Sequence, residues 1–596
     1  MGEAIERVRR RWVLRRDDAG ACRRVLTGIT EARPALARSG AHLAALLVHR
    51  GIADPGDAAA FLDASLARQV RSPELMADMS RATMRLADAL RAGEHISVFA
   101  DYDVDGISGA AQLLLFLREL GVDAGLHVPD RIRDGYGLNE GAVRAAAAAG
   151  TRVLITVDCG TANRAELELA QNLGLDVIVC DHHHAPTERP PACAVLNPHR
   201  RDCRFPFKGL SGAGVVFYLL MGLRKELRER GVGQLPDLRR YLDLVALGTV
   251  ADVMPLREEN RVFVKHGLRR LQEGPRPGVA ALREVTGTTN VSAQAVSFRL
   301  APVLNAGGRI GDARRSVELL TSASLEDARV TARNLKEANQ ERREVERRMV
   351  QEAIAMVEAD GQWQRRASIV VGLPGWHPGV IGIVAARLVD RYYRPAFVFA
   401  VGDALARGSG RSIRAVDLVD ALADCRHEVL GFGGHRAAAG TTLRSEALGR
   451  FAAAFEQSVR ARTSVEDFRP ALDLDGELQF RDLTRELVQD FEVLEPTGPA
   501  NPPPVFVARD VEVIERREVG TPEAAQGEMR PPHLKLRLRQ GTRHLAAIGF
   551  RMSRLGVRQG ERIDVAFTPE LDDWKGAGDV ALRLLDVRHS GGGETG

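Results

Sequence analysis

Residues 101 to 106 read DYDVDG, which places three carboxylates at alternate positions and closes the run with a glycine. This pattern matches the first half of an EF-hand calcium loop, which needs a glutamate at its twelfth position and a helix before it. Here the twelfth position is Gln112, and the preceding run from His95 to Ala100 is apolar and typical of a strand. The sequence therefore argues against a calcium loop and favours one wall of a catalytic metal site.

Four acidic or histidine-bearing turns follow apolar stretches that have the character of strands. They are DYDVDG at 101, VDCG at 157, DHHH at 181 and GTVADVMPL at 248. In open α/β sheets ligands bind at the carboxyl ends of strands, so turns far apart in sequence can meet at one edge. One such aspartate alone is most often a turn or capping residue. Together the turns offer Asp101, Asp103, Asp105, Asp158, Asp181, His182, His183, His184 and Asp252.

So many carboxylates at one edge would repel one another and shift their pKa values unless a cation neutralised them. Carboxylate and imidazole ligands without thiolate suit Mn²⁺ or Mg²⁺ better than structural zinc. Two such ions, about 3.5 to 4 Å apart, activate a water and neutralise the attacking and leaving oxygens of a phosphoryl displacement. The predicted chemistry is phosphoester hydrolysis.

Strand and helix patterns alternate around these turns. Strand candidates at 96–100, 153–157 and 177–180 are interleaved with helix-like stretches at 110–120 and 163–173, which predicts a parallel sheet covered by helices. From Leu325 to about Glu358 there is no Gly or Pro, and Ser324 can cap a long helix. Its centre, KEANQERREVERR, is polar nearly all round, so we expect it to cross solvent between two domains.

A second α/β pattern follows from about 367 to 462, and strand alternation between about 470 and 590 suggests a small β-barrel. In HLKLRLR at 533 to 539, leucines face one way and basic residues the other. The predicted divisions are 1–75 (helical and basic), 76–323 (catalytic α/β), 324–360 (connecting helix), 361–463 (substrate-binding α/β), 464–590 (barrel) and 591–596 (disordered tail).

Composition sets broad limits on the function. A chain of 596 residues is too long for one hydrophobic core. Its formal charge of +4 does not by itself indicate a protein that binds nucleic acid. No apolar run reaches the roughly 20 residues of a membrane span, and six cysteines in so long a chain form no disulfide framework. We therefore expect a cytoplasmic protein.

The motifs DYDVDG, VDCG, DHH and the aspartate of GTVADVMPL resemble, in that order, the four motifs of the DHH phosphoesterase superfamily. Further segments are similar to an exonuclease branch of that superfamily: LNAGGRIGDA at 304, PGWHPGVIGIVAARL at 374, GSGRSI at 408 and GFGGHRAAAG at 431. The likeness extends from residues 10–14 to residues 580–587. It implies two α/β domains, DHH and DHHA1-like, joined by a long helix around a catalytic cleft, with a C-terminal OB-like β-barrel.

The resemblance also implies roles for the residues of the four turns. Asp158 would bridge two Mn²⁺ or Mg²⁺ ions, with Asp105, His182 and Asp252 completing the sphere of one ion. Asp103 would hold the other ion, with Asp101 as a ligand or as a partner of the ligands. His183 would lie next to the scissile phosphate, and Asp181 would orient the loop. His184 lies outside the motif and receives no role.

Substrate contacts are expected in both α/β domains. DRIRDGYGLN at 130 to 139 resembles a family loop near the substrate, which makes Arg131 and Asn139 candidates for phosphate contacts. Arg309 lies beside glycines that let backbone approach a ligand closely. In the second domain, glycine-rich turns expose backbone N–H groups that can hold an anion. They contain the candidates Ser409, Arg411, Gly434 and His435.

We therefore expect a metal-dependent exonuclease that acts 5′ to 3′ on single-stranded DNA in recombination and repair. The barrel would bind the strand, although exposed charge on strands such as HLKLRLR also protects sheet edges. The expected partners are single-stranded DNA, single-strand-binding protein and a helicase, and the expected state is a monomer. Two alternatives stay open: a DHH phosphodiesterase for short oligonucleotides or cyclic dinucleotides, and a non-catalytic single-strand-binding relative.

Overall fold

The structure is a computed structural model that describes residues 10–520, 523–525, 528–572 and 579–590. The predicted disordered tail at 591–596 and the basic start at 1–9 lie outside the described residues. The chain divides into two compact units. Residues 56–341 and 494–502 form one, here named the parallel-sheet unit. The described residues of 1–55, 342–493 and 503–596 form the other, here named the barrel unit.

The helices and strands are numbered along the chain. The helices are α1 (Ala19–Ala32), α2 (Gly40–His49), α3 (Pro55–Asp63), α4 (Leu66–Gln69), α5 (Met79–Ala92), α6 (Val104–Glu119), α7 (Glu140–Ala148), α8 (Arg164–Asn172), α9 (Gly212–Glu229), α10 (Leu242–Ala251), α11 (Glu258–Glu273), α12 (Pro277–Thr286), α13 (Ala293–Ala295), α14 (Ala301–Ile310), α15 (Arg314–Thr321), α16 (Leu325–Ala359), α17 (Ile381–Tyr392), α18 (Leu418–Asp424), α19 (Leu448–Arg462) and α20 (Arg485–Phe491). The strands are β1 (Arg11–Leu14), β2 (Ile96–Ala100), β3 (Gly125–His127), β4 (Val153–Val157), β5 (Asp176–Cys180), β6 (Ala194–Leu196), β7 (Ile369–Pro374), β8 (Ala396–Val401), β9 (Leu405–Arg411), β10 (Gly431–His435), β11 (Ala438–Arg444), β12 (Ala471–Leu474), β13 (Gly476–Glu477), β14 (Phe506–Val519), β15 (Glu523–Ala525), β16 (Glu528–Arg530), β17 (His533–Gln540), β18 (Arg543–Gly549), β19 (Arg562–Asp572) and β20 (Asp579–His589).

A five-stranded parallel sheet in the order β3, β2, β4, β5, β6 forms the centre of the parallel-sheet unit. One face packs against α6, α9 and α10, and the other packs against α7 and α8. Because both faces are covered, β2 and β4 are buried at every position, and their sequences ISVFA and VLITV are nearly continuous apolar runs. The predicted parallel sheet covered by helices is confirmed.

The long helix α16 begins at Leu325, as predicted, and Ser324 caps it by accepting a hydrogen bond from the Asp327 backbone N–H at 3.2 Å. Most residues of its polar centre are exposed, as expected, but one face is not, because Asn339, Arg342 and Glu346 are buried. Glu346 pairs with Arg342 at 2.7 Å and with Arg387 at 3.2 Å. Buried charges on this helix are thus tolerated because they are paired.

The barrel unit contains a mixed sheet in the order β10, β11, β9, β8, β7, in which β7 and β8 are parallel and the other pairs are antiparallel. Helix α17 and the C-terminal half of α16 form an apolar core with β7 and β8. A second core contains phenylalanines of β8, with α18 and α19. The glycine-rich segments at 408 and 431, which were predicted to be turns, are strands of this sheet: residues 408–411 lie in β9, and residues 431–435 form β10.

Strands β14, β17, β18, β20 and β19 close into a barrel, because β19 also pairs with β14. The predicted β-barrel is thus confirmed. In β17, Leu534, Leu536 and Leu538 are buried, while Lys535, Arg537 and Arg539 are exposed, as the alternation predicts. Among the described residues, no helix has both the length and the apolar character that crossing a membrane requires.

Two segments differ from the sequence-based expectation. The N-terminal region is helical except for β1, which pairs in parallel with β12, and local periodicity does not reveal so distant a partner. Residues 494–502, which the sequence assigned to the barrel, belong to the parallel-sheet unit. There the Leu256 N–H donates to the carbonyl of Pro499 at 2.8 Å, and the Arg261 guanidinium donates to the carbonyl of Leu494 at 2.9 Å.

Candidate metal centre

The register of the parallel sheet brings three of the predicted turns to one edge. Ala100 pairs with Val157, and Val157 pairs with Cys180, so the strands β2, β4 and β5 end side by side. The next residues, Asp101 and Asp158, continue the sheet hydrogen bonds, since their N–H groups donate to carbonyls of Val157 and Cys180. Their side chains and that of Asp181 therefore leave the sheet at neighbouring positions.

The first turn of α6 places two further carboxylates. Asp103 is the N-cap, and its side chain accepts hydrogen bonds from the N–H groups of Asp105 and Gly106 at 2.9 and 3.2 Å. Asp105 is buried and accepts from the N–H groups of Gly212 and Ala213 at 2.6 and 2.9 Å, at the start of α9. Backbone donors at a helix N-terminus thus hold the Asp105 carboxylate in place.

Two positions around the Asp105 carboxylate have room only for glycine, because neighbouring atoms approach their backbone closely. A Cβ at Gly106 would lie 2.5 Å from the carbonyl oxygen of Asp101, and one at Gly248 would lie 2.4 Å from Oδ1 of Asp105. Gly248 is in the last turns of α10, which ends just before Asp252. These glycines let α10 bring Asp252 against the turn that carries Asp105.

The four turns converge on the imidazole of His182. Its Nε2 lies 3.0 Å from Oδ1 of Asp158, 3.5 Å from Oδ2 of Asp252 and 3.7 Å from Oδ2 of Asp105. Within each of three overlapping groups, the possible ligand atoms lie within 4.8 Å of one another. The groups are Asp101, Asp103 and Asp158; Asp105, His182 and Asp252; and Asp158, His182 and His183.

The electrostatics of this cluster favour a bound cation. Burial and neighbouring carboxylates raise the pKa of Asp101, Asp158 and Asp252, and they raise the pKa of Asp105 to about 7. Oδ1 of Asp101 and Oδ1 of Asp158 are buried and accept no hydrogen bond from the described residues. Buried carboxylate oxygens without donors, grouped with an imidazole, fit Mn²⁺ or Mg²⁺.

In the DHHH turn, Asp181 is held by hydrogen bonds and differs in its role from the histidines that follow it. Asp181 accepts from the N–H groups of Thr161, His182 and His183, and its Oδ1 lies 2.8 Å from Nδ1 of His183. Burial raises the pKa of Asp181, but the hydrogen bond and charge of His183 outweigh it and lower that pKa overall. Asp181 therefore orients the turn, while the ring of His184 lies next to His199, 5.7 Å between centroids.

The predicted substrate residues of the parallel-sheet unit lie near the DYDVDG turn or on α7. The guanidinium of Arg131 lies 4.9 Å from the ring centroid of Tyr102, and Gly308, next to Arg309, packs against the carbonyl oxygen of Tyr102. Asn139 caps α7 by accepting from the N–H of Ala142 at 2.9 Å. The side-chain oxygen of Asn139 forms this cap, while its buried amide nitrogen has no hydrogen-bond partner among the described residues, so Asn139 stays a predicted phosphate contact. Arg131 and Arg309 flank one turn of the cluster.

The predicted substrate residues of the barrel unit lie on two strands, β9 and β10, which flank β11. Arg411 on β9 and His435 on β10 both pair with Ala438 on β11, from its two sides. The guanidinium of Arg411 donates to Oγ of Ser409 at 3.2 Å. Gly434 has a φ of 144° and approaches the carbonyl of Ala438, so a side chain there would be strained. These four residues form one group on this sheet.

Three contributors to the site were missed in the sequence. Gly212 and Ala213 hold Asp105, and the SGAG run at 211 to 214 before an apolar helix was the available signal. Asn197 directly follows β6 at the same edge, and its amide donates to the carbonyl of His183 at 2.9 Å. Its position after the apolar run AVL could have indicated this role.

The chain is similar to known proteins along most of its length. The DHH family N-terminal domain matches residues 95–249, the DHHA1 domain matches 367–461, and the RecJ OB domain matches 474–586. The single-stranded-DNA-specific exonuclease RecJ of Dickeya dadantii is 37% identical over 537 residues, which cover 86% of this chain and 90% of the relative. The protein of the same name from Bacillus subtilis is 36% identical, with 91% of this chain and 67% of the relative covered.

A solved structure agrees with these matches. The crystal structure of RecJ in complex with Mn²⁺ from Thermus thermophilus superposes with a TM-score of 0.80 at 30% identity, and the match covers 97% of this chain and 79% of that one. Sequence identity and fold therefore agree along nearly the entire length. The chain belongs to the RecJ family of DHH proteins.

Proposed function

We propose that this chain is a metal-dependent exonuclease that hydrolyses phosphodiester bonds of single-stranded DNA, 5′ to 3′, in recombination and repair. The observation that carries the proposal is the buried cluster of carboxylates and imidazoles at one edge of the parallel sheet. Relatives at 36% and 37% identity are named single-stranded-DNA-specific exonucleases, which supports the substrate. The 5′ to 3′ direction rests on the family resemblance of the motifs.

The cluster has the ligand set for two Mn²⁺ or Mg²⁺ ions. We assign Asp158 as the bridging ligand, Asp105, His182 and Asp252 to one ion, and Asp101 and Asp103 to the other. When bound, such ions activate water and neutralise charge on the reacting phosphate. The protein contributes the fixed positions: backbone donors of α9 hold Asp105, and the sheet holds Asp101 and Asp158.

His183 is assigned to the phosphate next to the bond that breaks. Burial lowers the pKa of His183, but the hydrogen bond and charge of Asp181 outweigh it and raise that pKa to about 9. An imidazolium held by a carboxylate donates a hydrogen bond and stabilises negative charge. Arg131 and Arg309 are assigned to more distant phosphates, and the group of Ser409, Arg411, Gly434 and His435 to the strand backbone or a terminal phosphate.

Two rival functions fit the chain less well. A phosphodiesterase for short oligonucleotides or cyclic dinucleotides has no use for the five-stranded barrel, whereas a long strand does. A non-catalytic relative would be expected to lose metal ligands, and every assigned ligand position here carries an aspartate or histidine. The metal cluster and the barrel together therefore favour the exonuclease.

Oligonucleotides labelled at either end provide the test. Purified protein with Mn²⁺ is incubated with single-stranded and duplex substrates that carry a 5′ or a 3′ label. We expect the 5′ label to appear first as mononucleotide, the 3′ label to remain in gradually shorter strands, and the blunt duplex to persist. Release of 3′-labelled mononucleotide first, or equal cleavage of the duplex, would contradict the proposed direction or strand preference.

The outer face of the barrel provides a place for the strand. Register aligns Arg517, Lys535, Ile548 and Arg583 in one row across β14, β17, β18 and β20. Next to this row, the ring of Phe550 is 47% exposed and lies 5.9 Å from the Arg583 guanidinium. Basic residues beside an exposed aromatic ring suit phosphates and stacked bases. Arg539 at the other end of HLKLRLR pairs with Glu512 at 2.5 Å, and within the row Arg517 pairs with Glu515 and Arg583 with Glu570 at 3.5 Å. The placement of the strand therefore rests mainly on Lys535 and Phe550.

Two variants separate stacking from charge on this face. Phe550→Ala should weaken binding of a long oligothymidine about tenfold at every salt concentration, since base stacking contributes about 1 to 3 kcal/mol per base. Lys535→Ala should reduce the slope of log affinity against log salt by about 0.7, the loss of one phosphate contact. Fluorescence anisotropy measures both, and Lys225→Ala, at an exposed lysine paired with Glu74, is the control. Wild-type affinity and slope in both variants would contradict this placement.

The remaining expectations stay predictions. Six free thiols are consistent with the proposed cytoplasmic location. We also propose that the protein is a monomer and that its partners include single-strand-binding protein and a helicase. The domain divisions stay proposals as well: 76–323, 324–360, 361–463 and 464–590.

A further inference from the structure

Tyr136 lies on the loop between β3 and α7, and its hydroxyl contacts two residues of the proposed active site. The hydroxyl donates to the carbonyl oxygen of Asp158 at 3.1 Å. The same oxygen lies 3.0 Å from Nδ1 and 3.4 Å from Nε2 of His183. The two rings meet edge to face, with centroids 5.5 Å apart. One phenol therefore touches both the assigned bridging ligand and the assigned phosphate-binding histidine.

The backbone of Asp158 has a strained conformation that this contact stabilises. Its φ of 62° lies in the left-handed region, which is strained for a residue with a side chain. The N–H of Asp158 donates to the carbonyl of Cys180 at 2.8 Å, and its own carbonyl accepts from Tyr136. Hydrogen bonds on both sides thus hold the strained conformation that aims the carboxylate into the metal cluster.

The loop that carries Tyr136 is attached at several points to the turns of the cluster. The amide of Asn163 donates to the carbonyl of Leu138 at 3.0 Å and accepts from its N–H at 3.3 Å. At the other end of the loop, the guanidinium of Arg131 lies over the ring of Tyr102 in the DYDVDG turn. The loop therefore connects an assigned phosphate-binding arginine to both acidic turns, and Tyr136 makes its direct contact with Asp158.

We propose that Tyr136 is a positioning residue, whose hydroxyl fixes the Asp158 backbone and the His183 ring and thereby couples the substrate loop to the metal centre. The inference rests on the proposed function, since it gives the hydroxyl a role in the same reaction. A phenol is protonated at neutral pH and has one hydrogen to donate. It donates this hydrogen to the carbonyl of Asp158, and its oxygen packs against the His183 ring, whose Nδ1 is already held by Asp181.

The variant Tyr136→Phe removes the hydroxyl and keeps the ring. Because 51% of this side chain is exposed, the variant should fold, and its melting temperature should stay within about 2 °C of wild type. Loss of a group that orients a metal ligand typically costs about 10- to 100-fold in metal affinity or activity. We expect kcat on single-stranded DNA to fall at least about tenfold, with KM within twofold, and Mn²⁺ affinity without DNA to fall about tenfold.

The matched control is Tyr393→Phe, which removes a phenol hydroxyl from a tyrosine of the barrel unit outside the proposed site. Mn²⁺ affinity is measured by equilibrium titration without nucleic acid, so it does not depend on nuclease activity. If wild-type protein cleaved no DNA while Tyr136→Phe still bound Mn²⁺ more weakly, the proposed function would fail and the positioning role would stand. If kcat and Mn²⁺ affinity of Tyr136→Phe both stayed within twofold of wild type, the positioning role would be overturned.

Discussion

Asp158→Ala is expected to abolish Mn²⁺-dependent cleavage of single-stranded DNA, with a fall in kcat of at least about a thousandfold, or about 4 kcal/mol. The physical reason is its shared position. Asp158 belongs to two of the three groups of possible ligand atoms, and its Oδ1 lies 3.0 Å from Nε2 of His182 in the third. If Asp158 bridges the two ions as proposed, neither ion would keep its full ligand set without this carboxylate, and the charge on the reacting phosphate would not be neutralised.

Strand binding should survive this substitution, because the barrel residues Lys535 and Phe550 are far from Asp158 in sequence and belong to another unit. Single-turnover cleavage and anisotropy, measured on the same protein, separate the two effects. Asp123→Ala, at an exposed aspartate after α6, is the matched control and should cleave as wild type does. Undiminished cleavage by Asp158→Ala would refute the bridging assignment.

Metal removal should make the stability of the protein depend on pH. Burial and neighbouring carboxylates raise the pKa of Asp105 to about 7 and raise the pKa values of Asp101 and Asp158. In the unfolded chain an aspartate loses its proton near pH 4, so between about pH 4 and 7 the folded state binds more protons. With a chelator present, the free energy of unfolding should therefore fall as the pH rises from about 5 to 8.

Mn²⁺ should reverse this loss. At a hundredfold excess over Kd, a ligand that binds only the folded state adds about 2.7 kcal/mol, which raises the melting temperature of a domain of this size by about 5 to 10 °C. Thermal melts at pH 5.5, 7 and 8, with chelator or with Mn²⁺, measure the effect. Asp105→Asn should melt with a weaker pH dependence and respond less to Mn²⁺. Identical melting temperatures for wild type at all pH values, unaffected by Mn²⁺, would contradict the metal centre.

Elements with a strong local signal were predictable from the sequence. The strand candidates at 96–100 and 153–157 coincide with β2 and β4, because a strand buried on both faces is an apolar run that an acidic turn ends. Helix α16 starts at the expected residue because Ser324 caps it and no Gly or Pro interrupts it. The start of α6 was missed, because Gly106 and Gly109 made residues 104–109 look like a turn, whereas Asp103 caps the helix there.

Contacts between residues that lie far apart in the sequence were not predictable. The sequence predicted that all four turns follow strands, which is correct for the turns at 101, 158 and 181 but wrong for Asp252, which follows helix α10. The donors that hold Asp105 come from residues more than 100 positions later. The contact of Tyr136 with Asp158 is of the same kind, since no periodicity or motif predicts which loop reaches a given carbonyl. The one buried face of the α16 centre was not predicted, because a polar helix face can be buried when Arg342 and Glu346 neutralise each other.

The pairing of β1 with β12 has a consequence for synthesis of the protein on the ribosome. Arg11 cannot pair until Ala471, about 460 residues later, has been synthesised. At 5 to 20 residues per second, translation of this stretch takes roughly half a minute to a minute and a half. Meanwhile residues 56–341 are continuous in sequence and need only the short segment 494–502 from later in the chain. Residues 56–341, without the later segment 494–502, are thus expected to begin folding while β1 still has an unpaired strand edge, and chaperones would protect the chain most in this period.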